Sequence, residues 1–196
     1  MQTTTLSFAN IHNHGELFAN MLRARRELFI VHNKWNLPEA LGMEYDQYDT
    51  PASRWVVVHD ELGRVLAGNR LTPTTAKCGI YSYMIRDAQR GLLDTIPSNL
   101  LYDPAPVSET VWESSRLFVS HDVPASIRRR VHATLIAQLG ATARSLGASH
   151  CLTLLAATWP RWSERVGVKM KAMGPVMEID GIDNQVVSMD FTATLH

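Results

Sequence analysis

The sequence contains a set of charged and aromatic residues whose types and spacings suit the binding of a charged substrate. Arg25 lies four residues after Met21 and four before Phe29, on the apolar side of a predicted helix. A guanidinium in that position needs carboxylate partners, for which Asp46 and Asp49 are candidates. The full set is Arg25-x-x-x-Phe29, Trp35, Asp46-x-x-Asp49, Arg70 and Glu113-x-x-Arg116. Its charged members predict an ion-pair network that is either purely structural or also shapes a substrate pocket.

Glu113 is the candidate for proton transfer. It follows Trp112 in a strand pattern, and because strand residues alternate, Glu113 and Ser115 face one way while Arg116 faces the other. A desolvated carboxylate gains proton affinity, which suits a base that takes a proton from an ammonium nucleophile, directly or through water. We therefore treat Glu113 and Ser115 as candidate catalytic residues. The alternative for Glu113 is a structural ion pair.

A basic run, Arg128-Arg129-Arg130, lies near the start of a long predicted helix. Cationic side chains and free backbone N–H groups at such a position can bind a phosphopantetheine phosphate or an acidic carrier protein. A solvated basic face is the alternative explanation for the run.

Composition excludes several classes of protein. The 19 basic and 19 acidic residues cancel, so no global field attracts nucleic acid or an anionic membrane. Cys78 and Cys151 form no C-x-x-C pair, and the histidines lack metal-ligand spacing, so no metal site is predicted. Neither a leader pattern nor an apolar run of membrane-spanning length occurs. We expect a protein of the reducing cytoplasm that is not inserted in a membrane.

The elements that must position these residues follow from hydrophobic periodicity. At 196 residues with 45% hydrophobic content, the chain suits one domain, 1–196. The patterns predict, in order, a helix 16–32, a loop 34–51, a hairpin of strands 54–59 and 64–72, a strand 110–120, a helix 124–146, a strand 151–157, a helix 159–166 and a strand 185–194. This order predicts an α/β fold, a three-layer sandwich.

The spaced set resembles the acyl-homoserine-lactone synthase family, also called autoinducer synthases. The segments Arg70 to Thr74, Tyr83-Met84 and Met173-Gly174-Pro175 also match the family, so the resemblance spans nearly the whole chain. It implies a GNAT N-acyltransferase fold, an α-β-α sandwich around a mixed, mostly antiparallel central sheet. It also assigns substrate binding to Arg25, Phe29, Trp35, Asp46, Asp49, Arg70 and Arg116.

The family resemblance implies a two-step reaction that makes a quorum-sensing signal. An acyl group passes from a thioester to the amine of S-adenosylmethionine, and lactonisation then releases methylthioadenosine. Both molecules are substrates, so no cofactor is implied. The family uses acyl carrier protein or acyl-CoA as donor, and the basic run favours the carrier protein. Leu117, where an aromatic residue is common, and a region 88–90 without the usual Phe depart from the family pattern.

Two other functions compete with this interpretation. The first is an acetyl-CoA-dependent GNAT N-acetyltransferase, whose pyrophosphate turn has the pattern Q/R-x-x-G-x-G/A. The segment 126–133 contains no glycine, which weighs against it. The second is a ligand-binding module of the same fold that performs no chemistry, because a charged network can serve stability alone.

Overall fold

The structure is a computed structural model that describes residues 1–192. Within them the chain forms ten strands and four α-helices, as its apolar periodicity indicates. The strands are β1 (Gln2–Leu6), β2 (Glu39–Ala40), β3 (Met43–Glu44), β4 (Arg54–His59), β5 (Val65–Pro73), β6 (Val111–Val119), β7 (His150–Ala156), β8 (Lys169–Ala172), β9 (Met177–Ile179) and β10 (Ile182–Asp190). The helices are α1 (Leu17–Arg26), α2 (Met84–Gln89), α3 (Ala125–Ser145) and α4 (Trp159–Val166). A 3₁₀ turn, Ile11–Asn13, precedes α1, and a π-helix, Glu27–His32, continues it.

The chain packs as two compact units. The first unit comprises Met1–Leu71 and Arg116–Thr142, and the second comprises Thr72–Ser115 and the described chain from Ala143 onward. Strands β5 and β6 each contribute residues to both units. The single domain expected from the sequence stays a prediction.

Helices cover both faces of the strands in the first unit. The strand order there is β1-β4-β5-β6, and Leu6 of β1 lies opposite Trp55 of β4, while Thr5 lies opposite Val56. Cross-strand partners share a face of the sheet. On the Leu6 face, Met21 of α1 joins the buried core. On the Thr5 face, the Thr5 hydroxyl lies 2.9 Å from the hydroxyl of Thr142 in α3. Alternation along β4 thus sends apolar residues to both helical layers.

The second unit contains the parallel strand pair of the fold. Its strands run in the order β6-β7-β10-β8, with β6 parallel to β7 and β7 antiparallel to β10, which also pairs with β9. Ile85 of α2 packs in a core cluster with Leu152 of β7 and Val186 of β10. Gly174 lies against the backbone of Leu100, where an added Cβ would come within 1.9 Å of the carbonyl oxygen, so this position requires glycine.

These observations confirm the predicted fold class, a mixed α/β structure whose eight-stranded sheet is mostly antiparallel. The predicted hairpin is β4 and β5, the strand 110–120 is β6, and the long helix is α3. The predicted helix 159–166 has those bounds in α4 and ends at Gly167, whose φ is 70°. Strand 151–157 is β7, which lies between two neighbours as expected of an apolar run.

The structure differs from the predicted elements in several short segments and in the bounds of two longer elements. The segment 34–51, predicted as a loop, carries the β2–β3 hairpin, and the sequence reading missed β1, α2, β8 and β9. The first helix continues to His32 but changes from α to π after Arg26. The last strand begins at Ile182 and ends at Asp190, and Thr194 lies outside the described residues. Within residues 1–192, no helix is long and apolar enough to cross a membrane.

Candidate functional site

Arg25 lies on the buried side of α1, as the spacing predicted, and is 1% exposed. Its Nε donates to Glu44 at 2.5 Å, and its two terminal nitrogens donate to the Asp49 carboxylate at 2.8 and 3.0 Å. The prediction of Asp49 as a partner is confirmed, whereas Asp46 as the second partner is wrong. Glu44 takes that place because the β2–β3 hairpin turns its carboxylate inward, where it is fully buried.

Arg70 and Arg116 complete a closed ring of charges in the first unit. Arg70 donates to Asp46 at 2.5 Å and lies 3.1 Å from Asp49. Arg116 lies 3.2 Å from Glu44 and 2.8 Å from Asp46. Each carboxylate is therefore shared by two arginines, and each arginine contacts two carboxylates. The ring has no net charge, so its members can be buried together at a lower desolvation cost than a single ion pair with unsatisfied groups.

Electrostatics inside the ring favour the ionised forms. Burial by itself raises the pKa of Asp49, but Arg70 and Arg25 outweigh it and hold that pKa well below its usual value. The pKa of Asp46 is lowered in the same way, by Arg70 and Arg116 against the effect of burial. Burial lowers the pKa of Arg25, yet Asp49 and Glu44 raise it overall. Arg25, Asp46 and Asp49 thus stay charged at neutral pH.

Two further N–H donors fix the Asp49 carboxylate. The indole N–H of Trp55, in β4, donates to its Oδ1 at 2.9 Å, and the backbone N–H of Asp46 donates to its Oδ2 at 2.9 Å. The ring of Tyr48 lies 5.6 Å from the Arg70 guanidinium carbon. Sequence reasoning missed Glu44 and Trp55. The signal for Glu44 was the count of arginines, because three guanidiniums need three carboxylates and only two had been assigned.

Phe29 and Trp35 form an aromatic platform in the first unit. Their rings are parallel within 2° with centroids 5.1 Å apart, and the Arg116 guanidinium carbon lies 5.8 Å from the centroid of Phe29. Phe29 is 4% exposed, but Trp35 is 39% exposed. The platform therefore combines a rigid buried ring with a ring that is partly open to a ligand.

Glu113 is fully buried in β6 of the second unit. Its carboxylate accepts the backbone N–H of Ile85 at 2.8 Å and that of Met84 at 3.3 Å, in the first turn of α2. The expected burial is confirmed, but no sequence pattern indicated these two backbone donors. Ser115 is also buried, at 6% exposure. Regular alternation stops at Arg116, whose φ of 53° lies in the left-handed region.

The basic run divides into one engaged residue and two exposed ones. Arg128 donates to the carbonyl oxygens of Ser120 at 2.8 Å and Val119 at 3.3 Å, so its guanidinium closes the end of β6. Arg129 and Arg130 are exposed on α3. Of the predicted docking residues, these two keep their charge available to a partner.

A groove of about 400 Å³ in the first unit holds none of the predicted site residues. It lies beside the turn between β4 and β5 and is lined in part by Asn20, Glu27, Arg64, His121 and Asp122. The candidate residues are therefore grouped outside this groove: the charged ring and the aromatic platform lie in the first unit, and Glu113 lies in the second. Among residues 1–192 no three His, Cys, Asp or Glu side chains are grouped to hold a metal ion.

The chain as a whole matches a known family. The sequence profile described as autoinducer synthase matches residues 9–192. The chain belongs to the autoinducer synthase family. It is 30% identical over 179 residues to an acyl-homoserine-lactone synthase of Ralstonia solanacearum, a match that covers 87% of this chain and 82% of the relative.

Solved structures resemble this synthase over nearly its full length. TofI, in a ternary complex with an inhibitor and MTA, has a TM-score of 0.78 and 26% identity and is matched over 100% of this chain and 94% of TofI. BjaI, a CoA-dependent acyl-homoserine lactone synthase with SAM and isopentyl-CoA, has a TM-score of 0.76 and 20% identity, over 95% and 82%. An acyl-CoA N-acyltransferase from Pseudomonas aeruginosa shares the fold, with a TM-score of 0.59 and 16% identity, over 95% and 97%.

Family membership decides between the competing functions. This autoinducer synthase is an acyltransferase that makes an acyl-homoserine-lactone, a quorum-sensing signal, from S-adenosylmethionine and an acyl donor. The GNAT-like fold predicted from the resemblance is confirmed by the match to an N-acyltransferase. The resemblance therefore identified the reaction correctly.

Proposed function

We propose that the charged ring and the aromatic platform of the first unit bind S-adenosylmethionine, while Glu113 of the second unit accepts the proton of its amine. The observation that carries this proposal is the closed ring of three arginines and three carboxylates. A ring that served only stability would gain little over apolar packing of the same volume, because desolvation offsets most of the attraction between buried charges. Its contact with a partly exposed aromatic pair, through Arg116, favours a role in binding as well.

The chemistry of S-adenosylmethionine suits the platform. Its sulfonium is a cation and its adenine is a flat apolar ring, and both are attracted to an aromatic face. The ring of Trp35 is partly exposed and so can contact a ligand, and the buried ring of Phe29 stacks against it and holds it in place. Arg116, which is 12% exposed through its side chain, adds a donor for the methionyl carboxylate.

Acylation requires a neutral amine. The methionyl ammonium loses a proton, the amine nitrogen attacks the thioester carbonyl, and the thiol leaves as the tetrahedral oxyanion collapses. Glu113 accepts the proton, directly or through one water, and its buried carboxylate, held by the N–H groups of Ile85 and Met84, supports this role. Backbone N–H groups of the strand stabilise the oxyanion in this scheme. We assign Ser115, buried two residues along β6, to the same catalytic pair.

Lactonisation needs no further cofactor. The methionyl carboxylate oxygen attacks the γ-carbon of the same molecule, the bond from that carbon to sulfur breaks, and methylthioadenosine leaves as a neutral thioether. Ring closure is intramolecular, so correct orientation supplies much of the rate. The charged ring of the first unit supports that orientation, because it binds the substrate rigidly.

The acyl donor in this proposal is acyl carrier protein, and Arg129 and Arg130 are the residues that dock it. Both are exposed, and an acidic carrier would be attracted to them despite the zero net charge of the chain. Changing both to Glu should raise the KM for the carrier-bound donor more than that for a short pantetheine thioester, and added salt should reduce the difference. Equal effects on both donors would remove Arg129 and Arg130 from docking. Efficient turnover of acyl-CoA alone would instead favour the donor of BjaI.

The cellular setting in this proposal is the cytoplasm. Cys78 and Cys151 are both free thiols, as expected of a protein in a reducing compartment. Burial raises the pKa of Cys151, which keeps that thiol protonated and unreactive. We also retain the proposal of one domain, 1–196, which limited proteolysis of the purified protein would test.

The test of the reaction is a coupled product measurement. Purified protein with S-adenosylmethionine and an acyl thioester should release methylthioadenosine in step with free thiol, and mass spectrometry of the extract should identify the lactone. Glu109→Gln, an exposed carboxylate in the same unit, is the control for the Glu113→Gln variant. Thiol release with a simple amine but none with S-adenosylmethionine would instead favour an ordinary N-acetyltransferase.

A further inference from the structure

The backbone between the π-helix and Trp35 has an unusual conformation. Lys34 has a φ of 62°, in the left-handed region that side chains other than glycine and asparagine seldom adopt. Directly after it, the backbone N–H of Trp35 donates to the carbonyl oxygen of Phe29 at 2.9 Å. Asn33 donates in the same way to Leu28 at 2.9 Å. The left-handed residue thus ends the helix and turns the chain back over it, as a helix C-terminal motif does.

This turn decides where the Trp35 ring lies. Phe29 is held by the core, with Phe118 at 5.9 Å between ring centroids, so it cannot move to meet Trp35. The 2° angle and 5.1 Å separation of the stacked rings therefore depend on the direction in which the chain leaves the helix. A right-handed or extended residue at position 34 would send Trp35 away from Phe29.

We propose that Lys34 is a positioning residue, whose left-handed backbone sets Trp35 parallel to Phe29 and thereby builds the binding face for the adenosine part of S-adenosylmethionine. The inference rests on the proposed function of the aromatic platform. The Lys34 side chain is exposed, so its backbone conformation is what matters. A strained conformation that persists beside a ligand-binding surface is a common feature of functional sites.

Another left-handed residue, outside the proposed site, provides a matched control. Asp180 has a φ of 52° and precedes Gly181 in the turn between β9 and β10. Two successive left-handed residues are the normal geometry of a short hairpin turn, which tolerates Asp. The Asp180 turn contains no residue of the proposed binding set. A substitution that disfavours its left-handed backbone therefore measures the general cost of such strain, apart from any effect on the aromatic platform.

The experiment compares Lys34→Gly with Lys34→Val. Glycine adopts the left-handed region freely and valine strongly disfavours it. Lys34→Val should raise the KM for S-adenosylmethionine about tenfold with little change in kcat or in the KM for the thioester. Lys34→Gly should keep the KM close to that of the unchanged protein, and Asp180→Val should leave it unaltered. If the valine variant does not fold, Lys34→Ala takes its place in the comparison, with a smaller expected increase in the KM for S-adenosylmethionine.

A spectroscopic measurement reports the stack without substrate. The near-ultraviolet circular dichroism that is lost in Trp35→Ala should also be lost in Lys34→Val and kept in Lys34→Gly. If Trp35→Ala raises the KM for S-adenosylmethionine but Lys34→Val does not, the platform binds substrate and the inference about Lys34 is wrong. An equal increase in the glycine and valine variants would also overturn it, because the side chain would then be responsible. If Trp35→Ala leaves the KM unchanged, the proposed function of the platform fails first.

Discussion

Buried carboxylates are stabilised by different groups in the two units. In the first unit, Glu44, Asp46 and Asp49 are each shared by two guanidiniums. In the second unit, Glu113 accepts two backbone N–H groups. Side-chain partners can be removed by mutation and leave a buried charge behind, whereas backbone donors remain. We therefore expect variants in the ring to lose stability and activity together, and variants of Glu113 to lose activity while they stay folded.

Arg25→Ala is expected to have the largest effect. It leaves Glu44 and Asp49 short of one partner each in a buried site, and breaking such a network costs about 3 to 5 kcal/mol. The free energy of unfolding from urea titration should fall by that amount, with activity reduced in parallel. Arg26→Ala is the control, because the neighbouring arginine pairs with the exposed Glu39 and should change stability little. An active Arg25→Ala enzyme of unchanged Tm would contradict the contribution of the charged ring to stability and activity.

Glu113→Gln separates the two regions most clearly. The amide oxygen still accepts the N–H of Ile85, whereas the amide NH2 cannot accept the weaker bond from Met84, and the proton acceptor is gone. We expect the acylation rate to fall by about 10²-fold while the protein stays folded, with a stability loss of about 1 to 3 kcal/mol for the unsatisfied donors. Single-turnover kinetics and a thermal scan measure the two quantities. Near-normal turnover at neutral pH would assign Glu113 to structure alone.

Acid titration should reveal the ring through stability. The pKa values of Asp49 and Asp46 are lower in the folded chain than the ordinary value of 3.8. Their contribution is therefore fully present above that value and is lost as the pH falls through it toward the folded pKa values. The free energy of unfolding should stay level down to about pH 5 and decline below about pH 4. Asp49→Asn should show a shallower decline, and an equal slope in both proteins would argue against the lowered pKa.

Trp55→Phe should give the smallest loss. It removes the donor to Asp49 but keeps an aromatic ring in the core, and a hydrogen bond to a charged group contributes about 1.5 to 3 kcal/mol. Trp159→Phe is the matched control, because its indole donates to the neutral Gln185 at 2.7 Å and should cost about 1 kcal/mol. Denaturant titration of both variants gives the difference. Equal losses would show that the charge of Asp49 adds nothing to this bond.

Long elements with strong patterns were predictable, and short ones were not. Helix α4 was bounded correctly because Pro160 suits its first turn and Gly167 suits the left-handed residue that ends it. Helix α2, with six residues, is too short for periodicity to appear, and this is why the donors to Glu113 were missed. The β2–β3 hairpin escaped notice because each strand has two residues, and with it escaped Glu44.

The sequence by itself determined the reaction class, because the chain resembles one family over nearly its whole length. It also determined that Arg25 is buried, since helical periodicity fixes which side of a helix a residue occupies. The tertiary structure alone decided the pairings: that Glu44 rather than Asp46 meets Arg25, that Arg128 closes the end of β6, and that Glu113 binds backbone N–H groups. Such pairings depend on the paths of loops and on distances between residues far apart in the chain, which local patterns do not encode.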